Sequence, residues 1–279
     1  MTEVDRVQAP FGARRGQLTA NERYGAYTVL RCTDPGGPRP RAGQFYMLMT
    51  AAGWGGGADE RPFLPRAFSV LRAPEDSHEL QFLIEDVGPG TARLCELCAG
   101  DQLSLVGPLG VGFARPRDGR RALLVGGGVG IAPLAIWQDQ LRGQRPTTVL
   151  LGFRDRAHAA GATLLRDARV ATDDGSVGHP CLVTELLEAE LLCDDGADGP
   201  AAEVFACGPP AMLEAIRALC ERGKVPAQLA LESGMACGFG ACFGCVVAIR
   251  GGGYVRLCLE GPVLDAERLE SALTPGAGH

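Results

Sequence analysis

The sequence lacks a basic excess, a long apolar run and a leader-like start. Lys and Arg number 27 against 33 Asp and Glu, for a formal net charge of −6. A nucleic-acid binder ordinarily carries the opposite balance, so no nucleic-acid partner is expected. The longest apolar stretch, residues 122–137, is interrupted by Gly126, Gly127, Gly128, Gly130 and Pro133. It falls short of the roughly 20 residues a membrane-spanning helix needs, so no membrane is expected either. The opening MTEVDRVQAP has no basic segment followed by an apolar one, and a cytoplasmic, reducing location is the expectation. Low hydrophobicity with high charge is also missing, since 46% of residues are apolar and 22% charged. That excludes global disorder. No internal repeat is present. Histidine is scarce: His78, His158, His179 and His279 all fall in polar or terminal segments and are expected to be solvated.

Cysteine and glycine are plentiful instead, at 11 and 40. An odd cysteine count cannot be fully paired within the chain, and cysteines in a reducing compartment are more often metal ligands, reactive thiols or core fillers. The length of 279 residues suggests roughly one to three domains.

Up to about residue 115 the chain shows short strand-like runs separated by Gly and Pro, at 27–31, 44–49, 67–71, 80–85 and 102–106. One helix, predicted over 91–98 with Thr91 as its cap, interrupts them. This pattern points to an antiparallel β-barrel or sandwich. The polar, turn-prone stretch 115–120 marks a boundary. Beyond it, strands at 122–125, 147–153 and 203–207 alternate with helices ending near Leu141 and spanning 182–192 and 210–222. Alternation of this kind predicts an α/β unit with a parallel sheet. A cysteine-rich end follows. The expected division is 1–117, 118–226 and 227–279.

Cys237, Cys242, Cys245 and Cys258 have the spacing C-x4-C-x2-C-x12-C, the plant-type 2Fe–2S ligand order. Gly238, Gly240 and Gly244 let the backbone curl around a cluster and turn N–H groups toward its sulfurs. Runs at 246–249 and 254–257 joined by RGGG read as a hairpin that returns Cys258 to Cys245. The alternatives are a zinc site or buried thiols. Zinc ribbons favour well-separated C-x2–4-C pairs, which this spacing fits poorly. Cys95 and Cys98 share one face of the predicted helix and read as core or surface residues.

Two strand-to-helix turns follow the boundary. GGGVGIAP places Gly127, Gly128, Gly130 and Pro133 after a strand, where glycines admit a pyrophosphate and the helix offers free N–H groups. A turn without a ligand is the alternative. Cys207, Gly208 and Pro209 end the third strand, at the carboxyl edge where open sheets bind ligands. In the β-rich half, Arg66-Ala67-Phe68-Ser69 lies on a strand, with Arg66 and Phe68 on one face and Ser69 on the other. Arginine clamps phosphate and an aromatic packs on a flat ring. Gly90 and Thr91 begin the helix as a second anion site.

In this order the motifs resemble the ferredoxin-reductase superfamily and, within it, the electron-transfer subunits of B-type, NAD-dependent dihydroorotate dehydrogenase. RAFS, VGPGT, GPLGVGF, GGGVGIAPL, ACGPPAML, MACGFGACFGC and CLEGPVL carry the resemblance over about residues 20–265. It implies an FAD-binding β-barrel, a Rossmann-like NAD domain and a small 2Fe–2S domain. It implies FAD held by Arg66, Ala67, Phe68, Ser69, Leu83, Ile84, Glu85, Gly90 and Thr91, and NAD near Gly127, Gly128, Gly130, Pro133, Gly208 and Pro209. Cys207 would lie by the nicotinamide, the one candidate catalytic position. The four cysteines would hold the cluster. The implied partner is a catalytic subunit carrying FMN, in a heterotetramer, with NAD+ as final acceptor. Ala67 and Phe68 depart from the family's commoner R-P-[IL]-S, and Glu85 stands where a basic residue would suit phosphate better. The alternative is a flavin/iron–sulfur reductase subunit of another complex, of the NADP–ferredoxin oxidoreductase, sulfide dehydrogenase or sulfite reductase type. A module without redox function is the further possibility. Arg154, Asp155 and Arg156 follow the second strand of the sheet and leave the choice between a ribose hydroxyl and a 2′-phosphate open.

Overall fold

The computed structural model describes residues 12–55, 62–75, 77–194 and 201–274; His279 lies outside them. The first part is built from β1 (Arg14–Tyr24), β2 (Tyr27–Thr33), β3 (Phe45–Thr50), β4 (Arg66–Arg72), β5 (Glu79–Glu85), α1 (Pro89–Cys95) and β6 (Gln102–Leu109). The strands close into a barrel in the order β1-β2-β5-β4-β3-β6, so every strand has a neighbour on each side. β3 shows why the wall is apolar on both sides. Tyr46 and Leu48 join Leu30, Phe82 and Leu105 in one core cluster. Phe45 and Met47, on the opposite face, join a second cluster with Leu229, Cys245 and Cys258. Period-two alternation thus separates barrel interior from barrel exterior, and later parts of the chain cover the exterior.

β1 has no counterpart in the sequence reading. Burial alternates along RRGQLTANERY, but only Gly16 and Leu18 are buried, and the less exposed face also carries Arg14 and Glu22, so the apolar alternation that marks a half-buried strand in sequence is weak. Its place is fixed by long-range pairing with β2 and β6.

The second part contains β7 (Arg121–Gly127), α2 (Ala132–Leu141), β8 (Thr147–Phe153), α3 (Arg156–Ala159), β9 (Ala168–Thr172), α4 (Val183–Asp194), β10 (Ala202–Cys207), α5 (Pro210–Gly223) and β11 (Ala227–Ala230). A short 3-10 turn, Gly128–Ile131, joins β7 to α2. The chain then forms β12 (Val246–Ala248), β13 (Tyr254–Arg256), α6 (Leu257–Glu260) and β14 (Val263–Asp265). The sheet order is β14-β11-β10-β7-β8-β9, parallel except for β14, which runs antiparallel to β11. β7 is buried on both faces: Ala122 and Leu124 belong to one core cluster, Leu123 and Val125 to the other. Such strands read as continuous apolar runs, which is why this one was visible in the sequence.

The sheet reaches beyond residue 226. β11 and β14 both come from segment 227–279, so the cysteine-bearing hairpin is an excursion from the sheet that ends by returning to its edge. Neither strand has a sequence signature, since each is only three or four residues long.

Barrel and sheet are locked together by polar and aromatic contacts. Arg72 in β4 donates to Asp139 of α2 at 3.0 Å and to the Leu164 carbonyl at 2.6 Å. Phe113, Trp137 and Phe205 form a three-ring cluster, with centroids 5.9, 5.7 and 5.6 Å apart.

Candidate cofactor sites

The ladder around β4 is asymmetric. On one side Arg66, Ala67, Phe68 and Ser69 pair with Leu48, Met47, Tyr46 and Phe45 of β3. On the other side β4 meets β5 only at Val70–Phe82 and Arg72–Gln81, while Leu83, Ile84 and Glu85 pair with β2. The barrel is therefore split between the start of β4 and the end of β5, which exposes strand edge beside the RAFS motif. A planar ring with hydrogen-bonding edges fits such a split. Register puts Arg66 and Phe68 on the face of Tyr46 and Leu48, and Ala67 and Ser69 on the face of Met47 and Phe45.

Arg66 lies against the start of α1. A Cβ on Gly90 would come within 2.9 Å of its Nε and 3.3 Å of its Cζ. The bare backbone lets the arginine lie close against it. The guanidinium also donates to the Leu64 carbonyl at 2.7 Å and lies 6.0 Å from the Trp54 ring. Arg66 and the N–H groups opening α1 thus meet at one point, as an anionic diphosphate requires.

Thr91 differs from the sequence expectation. The helix starts at Pro89 with Gly88 as its N-cap. The Thr91 hydroxyl turns back to accept from the N–H groups of Val87 and Gly88, at 2.9 and 3.0 Å. Leu83 and Ile84 are buried side chains, so only their backbone is available to a ligand. Glu85 pairs with Arg154 and lies 3.2 Å from His158 Nε2. His158 in turn meets Asp155 at 2.7 Å and sets its ring edge-on to Tyr27, 5.6 Å away. The expectation of a solvated His158 is corrected: its side chain is 13% exposed at the seam between barrel and sheet. This was hidden in the sequence, because Glu85 and Tyr27 lie far away along the chain, on β5 and β2.

The two glycine turns touch. Cys207 is in register with Gly126 across β10 and β7. A Cβ on Gly130 would lie 2.5 Å from the Cys207 carbonyl carbon and 2.6 Å from Gly208 Cα. A Cβ on Gly127 would strike Met212 Sδ at 2.6 Å and Pro209 at 3.0 Å. Pro133 occupies the first turn of α2, where its missing N–H costs nothing. Cys207 ends β10, and its thiol is pushed well above the ordinary value by burial and then by Glu232.

The cysteine end arranges the four predicted ligands as two pairs. Cys237 and Cys242 interact through their side chains. Cys258 sits beside Cys245, whose Sγ accepts its N–H at 3.5 Å, after the β12–β13 hairpin and a Leu257 N–H to Cys245 carbonyl bond of 3.0 Å. Cys258 also senses Cys237, which joins the pairs. Backbone N–H groups approach every sulfur: those of Cys242, Phe239 and Ala241 reach Cys237, that of Gly244 reaches Cys242 at 3.4 Å, and that of Gly240 reaches Cys258. Burial works to raise the Cys237 thiol, but these donors bring it down to about 7. Cys258 is pushed up to about 12 by burial and by Cys245.

Among the described residues, no three or more Cys, His, Asp or Glu side chains gather to hold a single metal ion. A two-iron cluster needs something different: two thiolates for each iron, with N–H groups toward the sulfurs. Two adjoining pairs meet that demand. The remaining thiols are scattered. Cys95 ends α1 and packs on the core, whereas Cys98 lies exposed beyond it.

Comparison with known proteins agrees with this geometry. Residues 232–270 match the model of the iron–sulfur cluster binding domain of dihydroorotate dehydrogenase B. The dihydroorotate dehydrogenase B (NAD(+)) electron transfer subunit of Caldanaerobacter subterraneus subsp. tengcongensis is 34% identical over 259 residues, which cover 91% of this chain and 97% of that one. The corresponding subunit of Geobacillus kaustophilus is 39% identical over 235 residues, 80% and 84% of the two chains. The chain belongs to this family. Its cofactors are accordingly FAD, a 2Fe–2S cluster and NAD, and the relatives favour the dihydroorotate dehydrogenase reading over a reductase subunit of another complex. Among solved structures, an NADH-dependent reduced ferredoxin–NADP oxidoreductase chain superposes with a TM-score of 0.75 at 22% identity, covering 94% of this chain and 92% of that one. A ferredoxin NADP+ reductase from Neisseria gonorrhoeae gives 0.61 at 19%, covering 75% and 91%. These likenesses concern the fold.

Among the described residues no helix is long and apolar enough to cross a membrane.

Proposed function

We propose that this chain takes electrons from the FMN of a separate dihydroorotate dehydrogenase catalytic subunit and passes them through its 2Fe–2S cluster and FAD to NAD+. The pathway served is orotate and UMP synthesis, in the cytoplasm, within a heterotetramer of two subunit types. The observation that carries this reading is the pair of adjoining thiol pairs on a loop seated against the split barrel.

Flavin supplies the exchange between one-electron and hydride chemistry, since an iron–sulfur cluster handles electrons singly and nicotinamide handles two. The residues supply position. Arg66 and the Gly90 N–H bind the flavin diphosphate, and Ala67, Phe68 and Ser69 present backbone and side chains to the ring. Leu83, Ile84 and Glu85 form the far lip of the split, with Glu85 holding Arg154 rather than phosphate. Thr91 fixes the α1 start that shapes the phosphate site. Gly127, Gly128, Gly130, Pro133, Gly208 and Pro209 admit the dinucleotide, and Cys207 packs beside the nicotinamide. Cys237, Cys242, Cys245 and Cys258 hold the cluster. Residues 1–117, 118–226 and 227–279 serve as the flavin, nucleotide and cluster units, with β11 and β14 tying the third to the second.

The preference for NAD over NADP is supported at the end of β8. Arg154 is engaged by Glu85, and Asp155 lies close enough to Asp174 for the two carboxylates to interact. Acidic groups there suit a ribose hydroxyl and repel a 2′-phosphate. Co-expression with a candidate FMN subunit, followed by dihydroorotate-dependent NAD+ reduction, tests the proposal. A stable brown-yellow complex that reduces NAD+ is the expected result. A colourless chain without flavin or iron–sulfur absorbance would overturn it.

A further inference from the structure

The cluster loop touches the barrel at one backbone position. Gly238, the residue after Cys237, is buried with φ +77°. A Cβ there would lie 2.6 Å from Met47 Cγ, 3.0 Å from Met47 Sδ and 3.0 Å from Leu109 Cδ1. Both the left-handed backbone and the lack of space demand glycine. Met47 is 1% exposed and belongs to the same buried cluster as Cys245 and Cys258. Across the β3–β4 ladder Met47 is paired with Ala67. Directly opposed residues present their side chains to one face, so Ala67, which is exposed, lies on the face that the loop covers. The cluster ligand Cys237, Gly238, Met47 and the RAFS strand therefore follow one another without a gap.

From this stacking we infer that Gly238 and Met47 are positioning residues for electron exchange between the cluster and the flavin, seating the loop against the flavin strand at contact distance. The inference rests on the function proposed above. When bound, FAD would accept a hydride from NADH and exchange electrons singly with the cluster. Neither residue takes part chemically. Each sets the separation.

The test uses the full chain purified with its cofactors and mixed rapidly with NADH. Flavin bleaching and the reduced-cluster electron paramagnetic resonance signal are followed as separate phases. Gly238→Ala should retain iron, sulfide and FAD and bleach its flavin at the parental rate. Its cluster-reduction phase should slow severalfold, since electron transfer between separated centres weakens steeply with each added ångström. A cluster phase unchanged from the parent would overturn the inference. If Gly238→Ala assembles no cluster, Met47→Ala decides, because it removes the contact from the barrel side and leaves the loop sequence intact. Slow cluster reduction with normal flavin bleaching supports the inference, and a parental phase overturns it. Failure of the underlying function would look different: the parent protein itself would lack flavin or cluster absorbance.

Discussion

The nucleotide turns and the cluster loop are both rich in glycine, yet they are held in different ways. At the turns the glycines face other protein. Gly127 and Gly130 are pressed against Met212, Pro209 and the Cys207–Gly208 backbone, between strands paired on both sides. The shape exists before any ligand arrives. At the loop, Cys242 is exposed, Phe239 and Phe243 are each 61% exposed, and the supporting strands have three residues apiece. There Gly238 seats the loop on the barrel, and N–H groups converge on sulfurs rather than on carbonyls. Packing fixes the first region, while the second is completed by thiolate–iron bonds.

Four variants bear on that contrast. The largest effect is expected from Cys242→Ser, which should abolish iron–sulfur absorbance while FAD remains bound, since Arg66 and Gly90 lie in the barrel. Iron and flavin assays on one preparation decide this, and a retained cluster spectrum would remove Cys242 from the ligand set. Gly130→Ala should do the reverse. Its Cβ meets backbone that cannot yield, so denaturant unfolding should show a loss of about 2–3 kcal/mol together with weakened NADH binding and a normal cluster. Arg66→Ala removes a charged phosphate contact and should weaken FAD by about 2 kcal/mol, roughly thirtyfold in dissociation constant, read by flavin release on dilution.

Glu214→Gln is the mildest. This carboxylate accepts from Arg217 at 2.7 Å and from the Ala272 N–H at 2.6 Å, tying α5 to the chain beyond the cluster hairpin. The loss should be about 1 kcal/mol at neutral pH. Arg217 and the Ala272 N–H hold its carboxyl below the ordinary 4.5. The contribution is therefore present above the ordinary value and lost as pH falls through the lowered one. Parent and variant unfolding curves should converge in acid.

What the sequence revealed follows the same division. The four cysteines were legible as one group from spacing alone, and the glycine turns from their place between apolar runs and helices. Thr91 and Glu85 were legible as positions but not as roles. The Thr91 hydroxyl serves its own helix, and Glu85 is taken up by Arg154 and His158 from across the seam. β1, β11 and β14 stayed hidden because partners distant in sequence, not their own alternation, define them. The contact between Gly238 and Met47 was hidden for the same reason: nearly two hundred residues separate two groups that pack side by side.

The most direct test joins the chain to its catalytic partner. Dihydroorotate is added to the purified complex, and reduction of the partner's FMN is monitored alongside reduction of NAD+. The parental complex should show both. The complex built with Cys242→Ser should keep FMN reduction and lose NAD+ reduction. Undiminished NAD+ reduction in that complex would contradict the role assigned to the cluster.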